Sequence, residues 1–486
     1  MPERRTAIVW FRDDLRVSDN PALAHAVDEG YAVVPLFVLD ETAPHMRELG
    51  GAMRWFAHHA LAALQGELAK RGAKLVLREG DSRHVLDEII EETDASAVFW
   101  NRRYEPGARE LDASIKADLK ERELEVHSFA GTLIHEPARV KTKTGGFYKV
   151  YTPFSRAFLA EVEVRDPIDA PERIEPAGGN LASLSVDELK LLPTAPDWSG
   201  GFSEWEPGED GAGKRVKAFM TANLDGYDTK RDDPAGDMTS KFSPHLRWGD
   251  LSPFQVWAAI DEHEGNAPAD DVLSFRKEII WREFNHHLLF HFGDLANDNW
   301  NPKFDVFPWR YDEEELRAWQ KGRTGYPIVD AGMRQLWQTG WMHNRVRMIC
   351  GSFLVKHLLH DWREGERWFW DCLVDGDVAN NPANWQWVAG TGADAPPYFR
   401  IFNPMTQGAK FDPDGDYVRT WVPELADVPA EHIHEPWDAP KDVLEKAGVR
   451  LGETYPKPIV DHKAARQRAL DALAQMKEAA EREAAE

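Results

Sequence analysis

The chain has 486 residues, more than one hydrophobic core normally serves, and its 42% hydrophobic residues can supply two or three folding units. No apolar run approaches the roughly 20 residues that span a bilayer, and the N-terminus has no signal-peptide pattern, so we expect a cytoplasmic protein. Cys350 and Cys372 are the only cysteines, which excludes a disulfide framework, and neither they nor the histidines have the spacing of a metal site. We therefore expect no metal.

The net charge of −25 argues at first against a nucleic-acid partner, because DNA affinity rests on Lys and Arg side chains that neutralise phosphates. Net charge describes the mean field, however, and a groove can be locally basic. Much of the acid lies in linker-like stretches, such as 161–213, and in the C-terminal tail. A salt-adapted proteome would produce the same excess, so charge alone does not decide the partner.

Short β-rich runs alternate with helical patterns from residue 6 to about residue 131. The predicted strands are 7–11, 33–39, 74–77, 97–100 and 124–129, and the predicted helices are 21–28, 53–71, 83–93 and 105–122. Gly72 suits the end of the second helix. Strict alternation predicts a doubly wound parallel α/β domain over residues 1–131, with any ligand beyond the carboxyl ends of its strands.

The periodicity fades after residue 131, and the Pro-, Gly- and acid-rich stretch 132–205 is typical of an interdomain linker. Helical patterns rich in Trp, Phe and His follow at 271–292, 313–321, 328–339, 341–360 and 365–374. They predict a large all-α domain over 206–486. Its last segment, 463–486, is polar enough that we expect a solvated helix and not a core element.

Two helical segments place chemically distinctive side chains on one face. Asn344, Arg347 and Met348 are spaced i, i+3 and i+4, so an amide, a guanidinium and a thioether share a face. Glu278 and Trp281 are spaced i and i+3, which puts a carboxylate beside a large flat ring and suits the binding of a heterocycle.

The segment 375–387 is a dense polar loop that runs into aromatic residues. Its two first carboxylates, Asp375 and Asp377, could pair with Arg347 and steady a buried polar ligand. The alternative is an ordinary loop closed by Asx turns.

These segments resemble the photolyase and cryptochrome family. So do Trp10-Phe-Arg-Asp-Asp-Leu-Arg16, Thr239-Ser-Lys-Phe-Ser-Pro-His-Leu-Arg-Trp-Gly249 and Pro397-Tyr-Phe-Arg-Ile-Phe-Asn-Pro-Met-Thr-Gln407, and the resemblance extends from residue 6 to about 467. It implies FAD in the helical domain, its phosphates near residues 239–243 and its flavin ring near Arg347, Asp375, Asp377 and Asn381. The full set of implied FAD-binding residues is Tyr227, Thr239, Ser240, Lys241, Phe242, Ser243, Glu278, Arg282, Asn344, Arg347, Asp375, Asp377 and Asn381.

The resemblance also implies an activity, the light-driven repair of cyclobutane pyrimidine dimers. Excited, fully reduced flavin would give one electron to a dimer flipped out of the DNA duplex, and the electron would return after the ring splits. The implied catalytic residues are Glu278, Asn344, Met348 and Asn381. The implied DNA-binding residues are Trp281, Arg345, Met348, Trp387, Arg400, Gln407 and Lys410. Trp385, Trp362 and Trp309 match the family's chain of electron carriers from flavin to surface.

The subtype depends on a few positions. Asn381 would face the flavin N5, where plant-type cryptochromes have aspartate and animal ones have cysteine, so it favours repair. A (6-4) photolyase would be expected to have histidines at the positions of Asn344 and Met348. A signalling cryptochrome, the main alternative, would often have a longer C-terminal extension. We therefore expect a monomeric enzyme that acts on ultraviolet-damaged DNA.

An antenna chromophore is expected in the α/β domain. Ala108 stands three residues after Glu105, where the folate-binding bacterial type has a glutamate. The segment 284–308 also departs from that type, and Ser243-Pro-His245-Leu is more similar to the class III photolyases. Methenyltetrahydrofolate bound in a different way is our first expectation, a deazaflavin the second, and an empty site the third.

Overall fold

The computed structural model describes residues 4–43, 46–395 and 399–483. Pro397 and the tyrosine after it, which open one of the family-like motifs, lie outside these residues. The chain packs into two compact units. The first comprises residues 1–227, 240–293 and 374–379, and the second comprises residues 228–239, 294–373 and 380–486. Among the described residues, no helix combines the length and hydropathy needed to cross a membrane.

The first unit contains a five-stranded parallel sheet. Its strands are β1 (Thr6–Phe11), β2 (Ala32–Leu39), β3 (Val76–Glu79), β4 (Ala97–Asn101) and β5 (Glu125–Phe129), in the order β3-β2-β1-β4-β5. Ile8 of β1 lies opposite Val34 of β2 on one side and Val98 of β4 on the other. All eight residues of β2 are buried, as expected for a strand that helices cover on both faces. The predicted doubly wound sheet is confirmed.

The helices of the described chain follow in sequence order. They are α1 (Pro21–Asp28), α2 (Gly51–Lys70), α3 (Ser82–Thr93), α4 (Pro106–Glu121), α5 (Tyr151–Glu161), α6 (Glu209–Ala222), α7 (Tyr227–Lys230), α8 (Ser243–Trp248), α9 (Pro253–His263), α10 (Ala269–Phe292), α11 (Glu313–Gln320), α12 (Pro327–Thr339), α13 (Asn344–Ser352), α14 (Trp362–Cys372), α15 (Asn380–Ala389), α16 (Pro404–Phe411), α17 (Asp416–Trp421), α18 (Ala430–Ile433), α19 (Lys441–Lys446) and α20 (His462–Glu483).

Local sequence explains where several of these helices begin and end. The side chain of Asn20 accepts a hydrogen bond from Leu23 N and caps α1. Helix α2 ends at Lys70, and Gly72 follows its C-cap with a φ of +92°, a conformation that glycine adopts without strain. Helix α5 lies within the stretch that the sequence predicts as a linker.

The core of the second unit is built from α12, α13, α14 and α15 and includes Trp319, Phe353 and Trp362. The single helix predicted over 341–360 is wrong at both ends. Helix α13 begins at Asn344, a π-helical turn covers Phe353–His357, and the chain then leaves the helix, with Leu359 at a φ of +57°.

The prediction of a solvated C-terminal helix is also wrong. Ala465, Ala469, Ala472 and Met476 of α20 are buried, and the last three pack in a cluster with Phe304 and others. Their spacing of four, three and four residues forms one helical stripe. Because alanine contributes little hydrophobicity, the composition of this segment conceals a face that packs.

Candidate functional site

The first unit brings together two of the residues that were predicted to bind FAD. Ser243 is the first residue of α8, and its hydroxyl donates a 2.6 Å hydrogen bond to Oδ2 of Asp375. Lys241 has a left-handed backbone, with φ of +51°, and its ammonium lies 3.6 Å from Glu204. Thr239 belongs to the second unit, whereas residues 240–243 belong to the first.

The segment that carries Asp375 and Asp377 is fixed by contacts within the first unit. The guanidinium of Arg247 donates to the carbonyl of Gly376 at 2.7 Å and to the carboxylate of Asp13 at 2.7 Å. Burial alone would lower the pKa of Arg247, but Asp13, Asp377 and Glu105 outweigh it and raise that pKa. A Cβ at position 376 would lie 2.9 Å from the sulfur of Met53, so a larger residue there would require this flexible side chain to move.

Asp377 is held from two sides. Its Oδ1 accepts a hydrogen bond from Ala379 N at 2.9 Å, which is a local turn contact of the kind that the Asx-turn alternative anticipated. Its Oδ2 lies 3.4 Å from Nε2 of the buried His286. The loop therefore has an Asx-type turn, and Asp377 faces a histidine, whereas the pairing of the two carboxylates with Arg347 stays a prediction.

Tyr227 and Phe242 lie in an aromatic cluster of the first unit. Their rings contact Phe219 and Phe275, with centroid distances between 5.2 and 5.9 Å. Tyr227 is only 5% exposed. The cluster joins helices α6 and α10. It also holds Phe242, the residue directly before Ser243, in place.

Helix α10 carries three of the predicted residues. Glu278, Trp281 and Arg282 lie at i, i+3 and i+4 of a 24-residue helix, so the predicted shared face is confirmed. The indole of Trp281 stacks on the ring of Tyr151, with centroids 3.5 Å apart and an angle of 3°. Arg282 donates to the carbonyl of Thr132 at 2.9 Å.

Helix α13 carries Asn344, Arg345, Arg347 and Met348 in the second unit. Val346 and Ile349 are buried, whereas Asn344, Arg347 and Met348 are partly or fully exposed, so the shared face predicted from their spacing is confirmed. Arg347 Nε donates to the carbonyl of Met342 at 2.7 Å. Arg345 pairs with Asp232 at 2.6 Å, and its guanidinium lies over the ring of Phe411.

The side chain of Asn381, on α15, is 8% exposed and tightly held. Its amide nitrogen donates to Oε1 of Glu366 at 2.8 Å and to the carbonyl of the same residue at 3.0 Å. Glu366 is itself 1% exposed. Both amide protons are used in this way, so Oδ1 remains as the acceptor of this side chain.

The three tryptophans predicted to carry electrons lie in the second unit. Trp362 is fully buried, and its indole N–H donates to Asn299 at 2.9 Å. Gly365 lies on α14, three residues after Trp362. The ring of Trp385 packs against Gly365 and occupies the space that a Cβ at position 365 would need. Trp309 is partly buried, with its ring centroid 4.3 Å from that of Phe307.

The remaining predicted DNA-binding residues lie at or near the surface of the second unit. Arg400 and Lys410 are exposed, and each places its cation 4.8 Å from a neighbouring phenylalanine ring. Gln407 is partly buried on α16. Trp387 donates its indole N–H to the carbonyl of Asp394 at 3.1 Å.

Comparisons with known proteins agree with this arrangement. A profile described as DNA photolyase matches residues 7–172, and one described as the FAD binding domain of DNA photolyase matches residues 275–475. A deoxyribodipyrimidine photo-lyase of Agrobacterium fabrum is 54% identical over 471 residues, which are 97% of this chain and 98% of the relative. This chain belongs to the photolyase and cryptochrome family.

Two further relatives delimit its position within the family. The crystal structure of a bacterial class III photolyase from Agrobacterium tumefaciens superimposes with a TM-score of 0.96 at 53% identity, covering 98% of this chain and 99% of that one. Cryptochrome-2 of Arabidopsis thaliana is 37% identical over 98% of this chain and 80% of its own length. The resemblance to the family and to its class III members is confirmed.

The structure shows contacts of the predicted site residues that sequence reasoning missed. Glu366 holds the amide of Asn381, Tyr151 supports the ring of Trp281, and Arg247 holds the turn at Gly376. Each is far from its partner in sequence or lies on a different helix, so helical spacing gave no signal. The Arg247 contact to Asp13 connects two of the quoted motifs, which is the one sequence signal that could have suggested it.

Proposed function

We propose that this protein is a photolyase that repairs cyclobutane pyrimidine dimers in DNA. The observation that carries the proposal is the orientation of Asn381, whose amide protons both go to Glu366. The remaining carbonyl oxygen accepts hydrogen bonds and therefore suits the N5–H of reduced flavin. An aspartate at this position would set a carboxylate against the buried carboxylate of Glu366, and the two would repel.

The donor set also fits the rest of FAD. Lys241 and Ser243, two residues apart in the first unit, offer a cation and a hydroxyl, and Ser243 contacts the carboxylate of Asp375. Reduced FAD, when bound, supplies an electron under blue light. The protein supplies position, the exclusion of water, and hydrogen-bond donors and acceptors that are in place before the reaction.

Helices α10 and α13 each carry side chains that suit a flipped-out pyrimidine dimer. Trp281 offers a flat ring, backed by Tyr151, to an unstacked base, as aromatic surfaces commonly do for nucleotides outside a duplex. Glu278 and Asn344 hydrogen-bond to the pyrimidines, and Met348 gives an adaptable apolar contact. The phosphates of the DNA are positioned, without sequence preference, by Arg345, Arg400, Gln407 and Lys410. We further propose that the protein acts as a monomer.

The antenna chromophore of the proposed enzyme is methenyltetrahydrofolate, with a deazaflavin as the second candidate. Ala108 is fully buried on α4, so the contact that a glutamate makes in the folate-binding bacterial type has no counterpart here. The folate therefore binds in another way. The absorption spectrum of chromophores released from the purified protein distinguishes folate from deazaflavin.

The first experiment mixes the purified, reduced protein with ultraviolet-irradiated oligothymidine under blue light and follows the recovery of thymine absorbance. Recovery is expected. Glu278→Ala should reduce it by about 100-fold, as the loss of a preorganised polar group at a reacting centre does, while FAD stays bound. The exposed neighbour Lys277→Ala serves as the control.

Two results would count against this proposal. Loss of FAD from Glu278→Ala would make that residue structural. Absence of repair by the unaltered protein, with FAD bound and photoreducible, would favour a blue-light photoreceptor, the activity that the similarity to the Arabidopsis cryptochrome makes the second candidate.

A further inference from the structure

Two histidines and a glutamate meet at the edge of the sheet in the first unit. His25 lies on α1, and Glu125 and His127 lie on the edge strand β5. Glu125 and His127 are two residues apart on a strand, so their side chains point to the same face. One potential ligand atom of each of the three side chains lies within 4.8 Å of those of the other two.

The two oxygens of Glu125 have different surroundings. Oε1 lies 3.4 Å from Nε2 of His127. Oε2 accepts a 2.6 Å hydrogen bond from the hydroxyl of Tyr31 and lies 3.3 Å from the guanidinium of Arg5. Outer partners of this kind orient a carboxylate that binds a metal.

His25 supplies an unpartnered nitrogen. Its Nε2 is buried and has no hydrogen-bond partner within the described residues. Its ring lies 4.8 Å from that of Phe99, 5.0 Å from that of Phe129 and 5.4 Å from that of His127. Packing accounts for the burial of the ring. The buried nitrogen has lost water without gaining a partner, and a bound ligand would compensate for this loss.

We propose that His25, Glu125 and His127 bind one zinc ion, with water as the fourth ligand. Zinc binds histidine nitrogen and carboxylate oxygen at about 2.0–2.2 Å in a tetrahedron, so neighbouring ligand atoms are about 3.3 Å apart. The 3.4 Å separation of Glu125 and His127 already meets this requirement. The positive charge of Arg5 repels the zinc ion, so we expect the affinity of the site for zinc to be moderate.

The zinc ion would join helix α1 to the edge strand β5 and would leave the repair chemistry untouched. The sequence conceals the site because His25 is far from the other two ligands along the chain, so no metal-ligand spacing appears. Zinc binding is expected to raise the melting temperature of the protein, since a ligand that binds only the folded state stabilises that state.

The test uses the full-length, FAD-loaded protein after removal of metals with a chelator. Titration with zinc should show one equivalent of moderate affinity per chain by calorimetry, together with a rise in Tm of roughly 3 °C or more. His127→Ala and Glu125→Gln should each lower the affinity for zinc by at least about tenfold. Removing a residue that only orients a metal ligand already lowers metal affinity by about this much. His127 is exposed, so the first variant should fold.

The matched control is His84→Ala. His84 pairs with Glu88 at 3.2 Å on the exposed surface of α3, a histidine and a carboxylate that are not part of this three-residue group. This variant should bind zinc as tightly as the unaltered protein. Equal binding by the unaltered protein, His127→Ala and Glu125→Gln would show adventitious binding and overturn the proposal.

Cobalt gives a second measurement. Co²⁺ at the site should produce visible d–d bands typical of four-coordination, and these should disappear in His127→Ala while flavin absorbance stays the same. Bands typical of six-coordination, or bands unchanged by that substitution, would refute the assigned ligand set.

Discussion

The amide of Asn381 is oriented by a single side chain, that of Glu366. Replacing Glu366 with alanine removes one of the two acceptors and leaves a buried N–H without a partner, which costs about 1–3 kcal/mol. We therefore expect Glu366→Ala to lower the free energy of unfolding by this amount. We also expect the loosened amide to make the photoreduced flavin reoxidise faster in air. Urea unfolding and flavin absorbance measure the two effects.

Glu364→Ala is the control for this substitution, because Glu364 lies on the same helix but pairs with Arg367 near the surface. It should change neither measurement. If Glu366→Ala alters stability but leaves flavin reoxidation unchanged, the glutamate supports the fold and not the orientation of Asn381.

Among the site residues, spacing predicted faces but not partners. The shared face of Asn344, Arg347 and Met348 follows from helical geometry alone, and the structure confirms it. The pairing of Trp281 with Tyr151 joins α10 to α5, and nothing in the sequence of either helix specifies the other. Partners of this kind depend on tertiary packing, so the sequence could not supply them.

Helix α13, which carries those residues, begins with a histidine cap that depends on pH. Nε2 of His343 donates to the carbonyl of Arg231 at 3.0 Å, while Nδ1 accepts from Arg345 N at 3.2 Å, so the ring must be neutral. Burial lowers the pKa of His343 to about 4, against the smaller opposing effects of the hydrogen bond to the Arg231 carbonyl and of Asp232. An unfolded histidine has a pKa of about 6.5.

The sign of the pH dependence follows from these two values. Between about pH 6.5 and pH 4 the unfolded chain binds a proton that the folded chain does not, so stability is lost as pH falls through this range. The loss attributable to His343 is at most roughly 3 kcal/mol. His343→Asn keeps a good capping residue and removes the titration, so its free energy of unfolding should depend less steeply on pH.

Urea unfolding at pH 7, 6 and 5 checks this expectation. Other buried histidines, such as His357, also have a lowered pKa and give every variant some slope, so the comparison is between the slopes of variant and parent. An equal slope in His343→Asn would refute the contribution of the cap.

For helix α20, the prediction of solvent exposure was wrong. Its polar composition predicted solvent exposure, yet Ala469 is 0% exposed against a cluster that includes Phe304 and Phe307. Ala469→Glu would bury a carboxylate without a partner, and we expect it to lower the free energy of unfolding by about 3 kcal/mol or more. Ala474→Glu lies on the exposed side of the same helix and should be close to neutral.

The outcome of this comparison decides which description of the helix holds. A small effect of Ala469→Glu, equal to that of Ala474→Glu, would restore the solvated helix that the composition suggested. Circular dichroism at low urea shows whether a loss of stability comes from α20 alone or from the whole second unit.

For the chain as a whole, the parallel sheet and the family were predictable because each rests on many residues at once. Five short strands that alternate with helices leave few topologies, and long motifs spread over both units identify the family. Single contacts have no such redundancy. The same reasoning applies to charge, because −25 is a sum over the chain and does not describe any one surface.

DNA binding should therefore depend on local cations and not on the net charge. Arg400 is exposed, and its guanidinium lies 4.8 Å from the ring of Phe402. If it contacts one phosphate, Arg400→Gln should weaken binding of dimer-containing DNA and make the slope of log K against log salt shallower by about 0.9. Fluorescence anisotropy at several salt concentrations measures both quantities.

The control is Arg317→Gln, which removes an equal charge from an exposed arginine that pairs with Glu313. The slope of log K against log salt should stay the same in this variant. Equal losses for the two variants would mean that the mean field, and not a local contact, governs how this acidic protein meets DNA.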